Sequence, residues 1–190
     1  MNKEHQLVLE ALAVLPRWHV VHWGNRESST LLCLWVAGRE KLVPVDGHQV
    51  MYEGIRHPVH DGHLTALLRD IQQRQDRTAL QTTSALAARR WLLERWEHTA
   101  ATGAMGVWSF PRDGFIRWVH NGALHIEAGD GTRHPTPIAL CEVLMDLGWN
   151  PPNHMYDNCW LQPTDLVHAA ELAVLTPMAA FGFDAPPDWE

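Results

Sequence analysis

A pattern that occurs twice is the feature of this sequence that most restricts its fold. An Arg-His-Pro tripeptide precedes an apolar helical pattern in both halves, at residues 56–58 with 64–71 and at residues 133–135 with 140–147. In both, apolar side chains recur at i, i+3, i+4 and i+7, which is the spacing of one helix face. Trp-Val and Asp-Gly pairs also precede both blocks in the same order. The pattern predicts two diverged copies of one unit, residues 1–102 and 103–190.

Each copy has strand patterns first and helix patterns second. In the first copy we expect a helix near residues 3–15, strands at 18–23, 31–36 and 41–45, and helices near 63–75 and 79–99. In the second copy we expect strands at 105–110, 115–120 and 123–128, a helix ended by Gly148, and a last helix at 164–176. This order predicts an α+β fold with two tandem repeats, each a small antiparallel β-meander followed by two helices.

Turn and cap residues mark the ends of several elements in the second copy. Asn121-Gly122 between apolar runs predicts a two-residue hairpin turn of type I′, which needs a positive φ at both positions. Thr136 is placed to cap the helix that follows it, with Pro137 in the first turn. Pro177 is expected to kink or end the last helix, because proline has no backbone N–H to donate.

Composition excludes several classes of protein. The chain of 190 residues is 46% hydrophobic, which allows a sizeable core and argues against intrinsic disorder. No apolar run reaches the roughly 18 residues of a membrane helix, and the first residues lack the layout of a signal peptide, so we expect a cytoplasmic protein. The three cysteines show neither disulfide-framework nor metal-site spacing and are expected to be buried thiols.

Charge differs between the two halves. Residues 1–102 carry 12 Lys and Arg against 11 Asp and Glu, whereas residues 103–190 carry 3 against 11, a net charge of −8. Arginines and two Trp between residues 64 and 98 come nearest to a nucleic-acid patch, but four acids dilute it, and Trp96 shares a helix face with apolar residues. The overall pI near 6.0 also argues against a general nucleic-acid or membrane binder.

Two histidine features are candidate sites. Three imidazoles and one carboxylate lie within one short segment: His57, His60, Asp61 and His63. Such ligand types suit zinc or another transition metal, which gives a metal-dependent hydrolase as an alternative function. We favour a loop without metal, because Pro and Gly interrupt the segment, and we expect no cofactor. Since Arg-His-Pro occurs twice, His57 and His134 are also candidate binding residues, although a strand-to-helix junction explains the same tripeptide.

A series of motifs follows the second hairpin. They are Leu124-His125-Ile126-Glu127, Leu147-Gly148-Trp149 with Asn150-Pro151-Pro152, Asn158-Cys159-Trp160, and Phe181-Gly182-Phe183 before Pro186-Pro187. In these motifs residues 105–190 resemble the type III secretion chaperone-like domain of many bacterial proteins, the TY-Chap or YbjN group. Residues 1–102 match only through their likeness to the second copy. The resemblance implies a non-enzymatic protein-binding fold that exposes a sheet or helix face to a client.

Enzyme motifs are missing from the sequence, which has no Gly-rich phosphate loop, no Gly-x-Ser-x-Gly and no His-Glu-x-x-His. We therefore expect a protein-binding module that catalyses nothing. It would act as a chaperone, adaptor or assembly subunit for a secreted effector, a toxin or another subunit, with a homodimer left open. An acidic immunity or inhibitor protein is the alternative within this class. Ten Trp exceed what two small cores readily hide, so we expect an exposed one beside an apolar patch, with three candidates: Trp35, Trp118 and Trp189.

Overall fold

A computed structural model describes residues 10, 13–23, 30–34, 39–46, 49–60, 62–131 and 136–189, and between residues 19 and 46 it describes the backbone alone. The chain divides into two compact units, Met1–Arg77 and Thr78–Glu190. Most of the predicted helix at 3–15 lies outside the described residues. Among the residues that are described, no helix combines the length and apolar content needed to cross a membrane.

The first unit is an antiparallel sheet followed by a helix. Its five strands lie in the sheet in chain order: β1 Trp18–Trp23, β2 Thr30–Leu34, β3 Arg39–Asp46, β4 Gln49–Tyr52 and β5 Ile55–Pro58. Helix α1 is His63–Leu80, and its apolar face closes the core of this unit. The buried core side chains are Leu15, Trp18, Val50, Tyr52, Val59, Leu64, Leu68 and Ile71.

Polar groups at the start of β1 are tied to α1. The guanidinium of Arg17 is buried and forms a double hydrogen bond to the carboxylate of Asp76. Beside it, the indole Nε1 of Trp18 donates to Oε1 of Gln72 at 3.1 Å. Since a buried charge needs a partner, this pair fixes how the helix lies on the sheet.

The hairpin of β4 and β5 was not predicted. Glu53 and Gly54 form its two-residue loop and both have positive φ, at 49° and 79°, which is the type I′ geometry. Glu53 is an unusual residue at this position, so sequence patterns carry little turn signal there. Arg56, His57 and Pro58 belong to β5, just before α1, which agrees with the interpretation of the tripeptide as a strand-to-helix junction.

The second unit packs three helices on a four-stranded sheet. Its elements in chain order are α2 Thr83–Thr102, β6 Gly106–Phe110, β7 Gly114–His120, β8 Leu124–Asp130, α3 Ile138–Leu147, β9 Cys159–Leu161 and α4 Leu166–Phe181. The sheet is antiparallel in the order β6-β7-β8-β9, so β6 is an edge strand. Cross-strand neighbours point to the same face, which puts these buried side chains on the inner face: Trp108, Ile116, Trp118, Ile126, Ala128 and Cys159.

Helix α2 belongs to this second unit, whereas the sequence assigned it to the first repeat. Nε1 of Trp118 on β7 donates to Oγ1 of Thr99 at 3.0 Å, in the buried interior. Arg89 pairs with Glu171 of α4 at 2.8 Å, so a basic helix lies on an acidic one. Packing therefore places the division between units at residue 77, ahead of α2, and not at residue 102.

Two local predictions in the second unit are wrong, the type I′ turn and the Thr136 cap, and of the expected kink or end at Pro177 the end is wrong. Only Gly122 of the Asn121-Gly122 pair has a positive φ, because the strands are joined by a three-residue loop and not by a type I′ turn. Pro137 stands at the N-cap position of α3, and the hydroxyl of Thr136 bonds to a side chain elsewhere. Helix α4 runs through Pro177 to Phe181, since its buried packing outweighs the one backbone hydrogen bond that proline cannot make.

The predicted mixed α+β class with antiparallel sheets is confirmed. Trp96 lies in the core with the predicted face of α2, and Cys141 and Cys159 are buried free thiols. A tandem duplication is not confirmed by the two units and stays a prediction.

Candidate binding groove

The tryptophans chosen from the sequence have different surroundings. Trp118 is only 3% exposed, so the prediction that its side chain lies at the surface is wrong. Trp189 is partly buried against Trp91, with ring centroids 6.2 Å apart. Trp35 lies outside the described residues. No Trp whose side chain the structure describes is fully exposed, and the apolar contact surface must therefore be sought where partly buried rings line a depression.

An open groove of about 530 Å³ lies beside the edge strand β6 in the second unit. One wall is a stripe of α2, formed by Trp91, Arg95, His98 and Thr99. The other wall is β6 and the two residues before it, and the segment of Asp188 and Trp189 closes part of the groove. We call this depression the aromatic groove, because four indoles line it: Trp91, Trp108, Trp118 and Trp189.

Trp91 is the central ring of the aromatic groove. Its centroid lies 6.0 Å from that of Trp108 and 5.9 Å from that of Trp118, and both contacts are edge-to-face. The guanidinium carbon of Arg95 lies 5.8 Å from the Trp91 centroid, a cation–π contact that holds the charge at the rim. Edge-to-face rings of this kind keep one another rigid, so the apolar surface is preformed.

Gly106 explains how the indole of Trp118 reaches the aromatic groove from the second strand of the sheet. These two residues are cross-strand neighbours in β6 and β7. A Cβ atom on Gly106 would lie 2.3 Å from Cε2 of Trp118, so any side chain there would collide with the ring. Glycine in the edge strand therefore lets the indole pass beneath it and reach Thr99.

The edge of β6 carries apolar side chains into solvent. Met105 is 71% exposed and Val107 is 55% exposed, and both line the aromatic groove. An edge strand presents backbone N–H and C=O groups that have no neighbour in the sheet, and exposed apolar residues on such an edge are typical of a surface that pairs with another chain. In the described part of the chain, no further strand covers this edge.

A polar cluster occupies the outer face of the same sheet. Oε2 of Glu127 accepts from Arg117 at 2.7 Å and from Nδ2 of Asn158 at 2.9 Å. Oδ1 of Asn158 in turn accepts from the hydroxyl of Thr136 at 2.9 Å. All the hydrogen bonds here satisfy buried groups, and they fix the segment before β9 onto β8.

His125 lies at the side of this polar cluster and stacks on Tyr156, with ring centroids 4.3 Å apart. Burial lowers the pKa of His125. The negative charge of Glu127 raises this pKa, and the positive charge of Arg117 lowers it further. Among the described residues its Nε2 has no hydrogen-bond partner, and it lies 3.7 Å from Oε1 of Glu127. None of these rings lines the aromatic groove, so the arrangement favours a structural role.

Burial raises the pKa of both Cys141 and Cys159. The thiol of Cys141 donates to the carbonyl of Thr136 at 3.5 Å. For Cys141 the effect of burial outweighs a hydrogen bond with Cys159 that lowers its pKa, and a thiol that stays protonated is a poor nucleophile.

The histidine segment gives no support for a metal centre. His57 is partly buried on β5, and the rings of His60 and His63 are in edge-to-face contact at 5.6 Å. Asp61 and His134 lie outside the described residues. Within the ranges that the structure describes, no three His, Cys, Asp or Glu side chains are grouped to hold a metal ion. Whether the full segment binds metal stays a prediction for metal analysis of the purified protein.

Sequence reasoning missed the aromatic groove because its parts are far apart in the chain. Trp91, Arg95 and Thr99 follow each other at i, i+4 and i+8, which is the stripe of one helix face and the one signal that could have found it. The sequence interpretation counted Trp91 and Arg95 as part of a nucleic-acid patch instead. No protein-family model, curated protein or solved structure matches this chain. The resemblance to secretion-chaperone-like domains therefore stays a prediction.

Proposed function

We propose that this chain is a non-enzymatic, cytoplasmic protein-binding module that holds an extended segment of a client protein in the aromatic groove. Its role is that of a chaperone, adaptor or assembly subunit. The main observation in support of this proposal is that the edge strand β6, which no described strand covers, lies beside a preformed aromatic surface. An acidic inhibitor protein would use the same surface, so it is one form of the same function.

Strand addition is the binding mode that suits this geometry. A client segment that pairs with β6 becomes a fifth strand of the sheet and lies over the aromatic groove, opposite α2. Main-chain hydrogen bonds then provide affinity, and alternate side chains point at the indoles and provide specificity. Because side chains alternate along a strand, only every second client residue needs to be apolar.

Anchoring energy would come from the rings and not from charges at the rim. Trp91 is already held by Trp108 and Trp118, so an apolar client side chain meets rings whose positions are set before it binds. Residues of this kind at the centre of an interface often cost about 2 kcal/mol or more when cut back to alanine. We therefore expect Trp91 to dominate the affinity.

Charge indicates which clients would approach fastest. The chain has a net charge of −7, and residues 103–190 alone carry −8. A field of one sign raises the association rate with partners of opposite charge and is weakened by salt. We expect a client that is basic next to its apolar segment.

Site-specific photo-crosslinking tests this proposal. A photoreactive residue in place of Met105, at the groove, should crosslink one client in cells that produce the protein. The control position is Met155, which is 68% exposed in the same unit but does not line the groove. Crosslinks of equal yield from both positions would contradict the proposal.

The crosslinked client then provides the ligand for a binding measurement. Trp91→Ala should weaken the affinity about 30-fold or more, which corresponds to about 2 kcal/mol. Trp160→Ala is the matched control, because Trp160 is also partly buried in this unit and lies outside the groove. Circular dichroism checks that both variants fold, and hydrogen exchange should show new protection of the amides of β6 in the complex. Equal affinities for the two variants would refute a binding site at the groove.

A further inference from the structure

A segment of the chain itself occupies part of the aromatic groove. Helix α4 ends at Gly182, whose φ of 70° turns the chain back towards the sheet. Phe183 then packs on Phe110 with ring centroids 6.2 Å apart. At the far end of this segment the carbonyl of Asp188 accepts from Nε1 of Trp108 at 3.3 Å, and the indole of Trp189 lies against Trp91.

The contacts of Asp188 and Trp189 are weak compared with those of the other groove residues. The backbone groups of residues 184–189 make no hydrogen bond to the backbone of any described residue. A distance of 3.3 Å is long for an N–H to oxygen hydrogen bond, and Trp189 is partly open to solvent. The Trp118 indole, by contrast, is buried, bonded to Thr99 at 3.0 Å and enclosed by two other rings. The segment is therefore held by the ring of Trp189, the long hydrogen bond of Asp188 and the buried Pro186, and the Asp188-Trp189 end itself has only the first two.

We propose that Asp188-Trp189 occupies the part of the groove that the client binds. The client then anchors through an aromatic side chain that takes the place of Trp189. The proposal rests on the proposed function and names the chemistry of its ligand. The required ligand has an aromatic residue in an extended backbone. The carbonyl of the residue that precedes this aromatic residue accepts a hydrogen bond from the indole N–H of Trp108. A client must displace the segment, so wild-type affinity is lowered by the fraction of time that Trp189 occupies the site.

Trp189 has one competing role, as a permanent wall of the groove. A wall residue adds contact area to the client, so its removal would weaken binding. An occupant competes with the client, so its removal would strengthen binding. The two roles therefore predict effects of opposite sign for the same substitution.

The test uses a minimal probe and needs no client. N-acetyl-Asp-Trp-amide is titrated into the full chain while the indole N–H signals are followed by NMR, and N-acetyl-Asp-Ala-amide is the control ligand. In Trp189→Ala we expect the tryptophan probe to shift the Trp108 signal and to bind at least fivefold more tightly than to the wild type. Trp189→Phe keeps an aromatic occupant and should behave like the wild type, and Trp160→Ala should leave the titration unchanged.

Three results would overturn the proposal. They are weaker binding of the probe to Trp189→Ala, equal binding to wild type and variant, and no binding to either. The Trp108 indole signal also reports on the segment without any ligand, and it must move in Trp189→Ala if Asp188 leaves its position. A client that binds through Trp91 with no change caused by Trp189→Ala would retain the proposed function and refute this inference alone.

Discussion

Replacing Gly106 by alanine should destabilise the second unit by about 2–6 kcal/mol. The new Cβ would lie 2.3 to 2.5 Å from three atoms of the Trp118 indole, where an ordinary contact between carbon atoms is about 3.5–4.0 Å. Overpacking of a buried site costs about 1–3 kcal/mol. A ring that retreats by more than about 1 Å also loses its hydrogen bond to Thr99, which leaves two buried polar groups unpaired at a cost of about 1–3 kcal/mol.

Chemical denaturation followed by tryptophan fluorescence measures this effect, because seven of the ten Trp lie in the second unit. Val107→Ala is the control on the same strand, and since Val107 is exposed it should change stability by no more than about 0.5 kcal/mol. Trp118→Phe shortens the ring, so in a double-mutant cycle it should recover part of the loss caused by Gly106→Ala. A cost below about 0.5 kcal/mol for Gly106→Ala would refute the account of how Trp118 passes beneath β6.

Three further outcomes follow from the polar groups of the second unit. Folding lowers the pKa of His125, so the unfolded chain takes up a proton at a higher pH than the folded protein does. The stability of the fold should therefore decrease as the pH drops through about 6.5 and below. Melting curves between pH 8 and 5 should show a smaller decrease for His125→Gln. Asn158→Ala leaves the Thr136 hydroxyl without its acceptor and should cost about 1–3 kcal/mol in urea denaturation, whereas full stability would show that water replaces the amide. Cys141 and Cys159 should resist iodoacetamide in the native protein and react with it in urea. Mass spectrometry of the labelled peptides measures both reactions. Rapid labelling of the native protein would contradict the burial of these thiols.

The order of elements could be read from the sequence because it depends on local patterns. Apolar periodicity placed β1 to β3, β6 to β8 and the four described helices to within about five residues, but it missed β4, β5 and β9. The same periodicity put Trp96 in the core. The type I′ turn could not be placed, because Glu53 takes a positive φ only when the strands on both sides pair. Pro177 also follows the tertiary packing, since the local rule would end the helix where the buried contacts continue it.

Tertiary structure alone decided the boundary between the units and the position of the aromatic groove. Charge and length gave no reason to separate α2 from α1, yet Arg89 pairs with Glu171, and Trp96 and Thr99 contact Trp118, and both partners lie later in the chain. The aromatic groove arises where a stripe of α2, the edge strand β6, the neighbouring strand β7 and the segment at Trp189 converge, and each part contributes one indole. Such a depression is a property of this convergence and not of any single residue. The sequence could therefore count ten tryptophans but could not tell which of them line the groove.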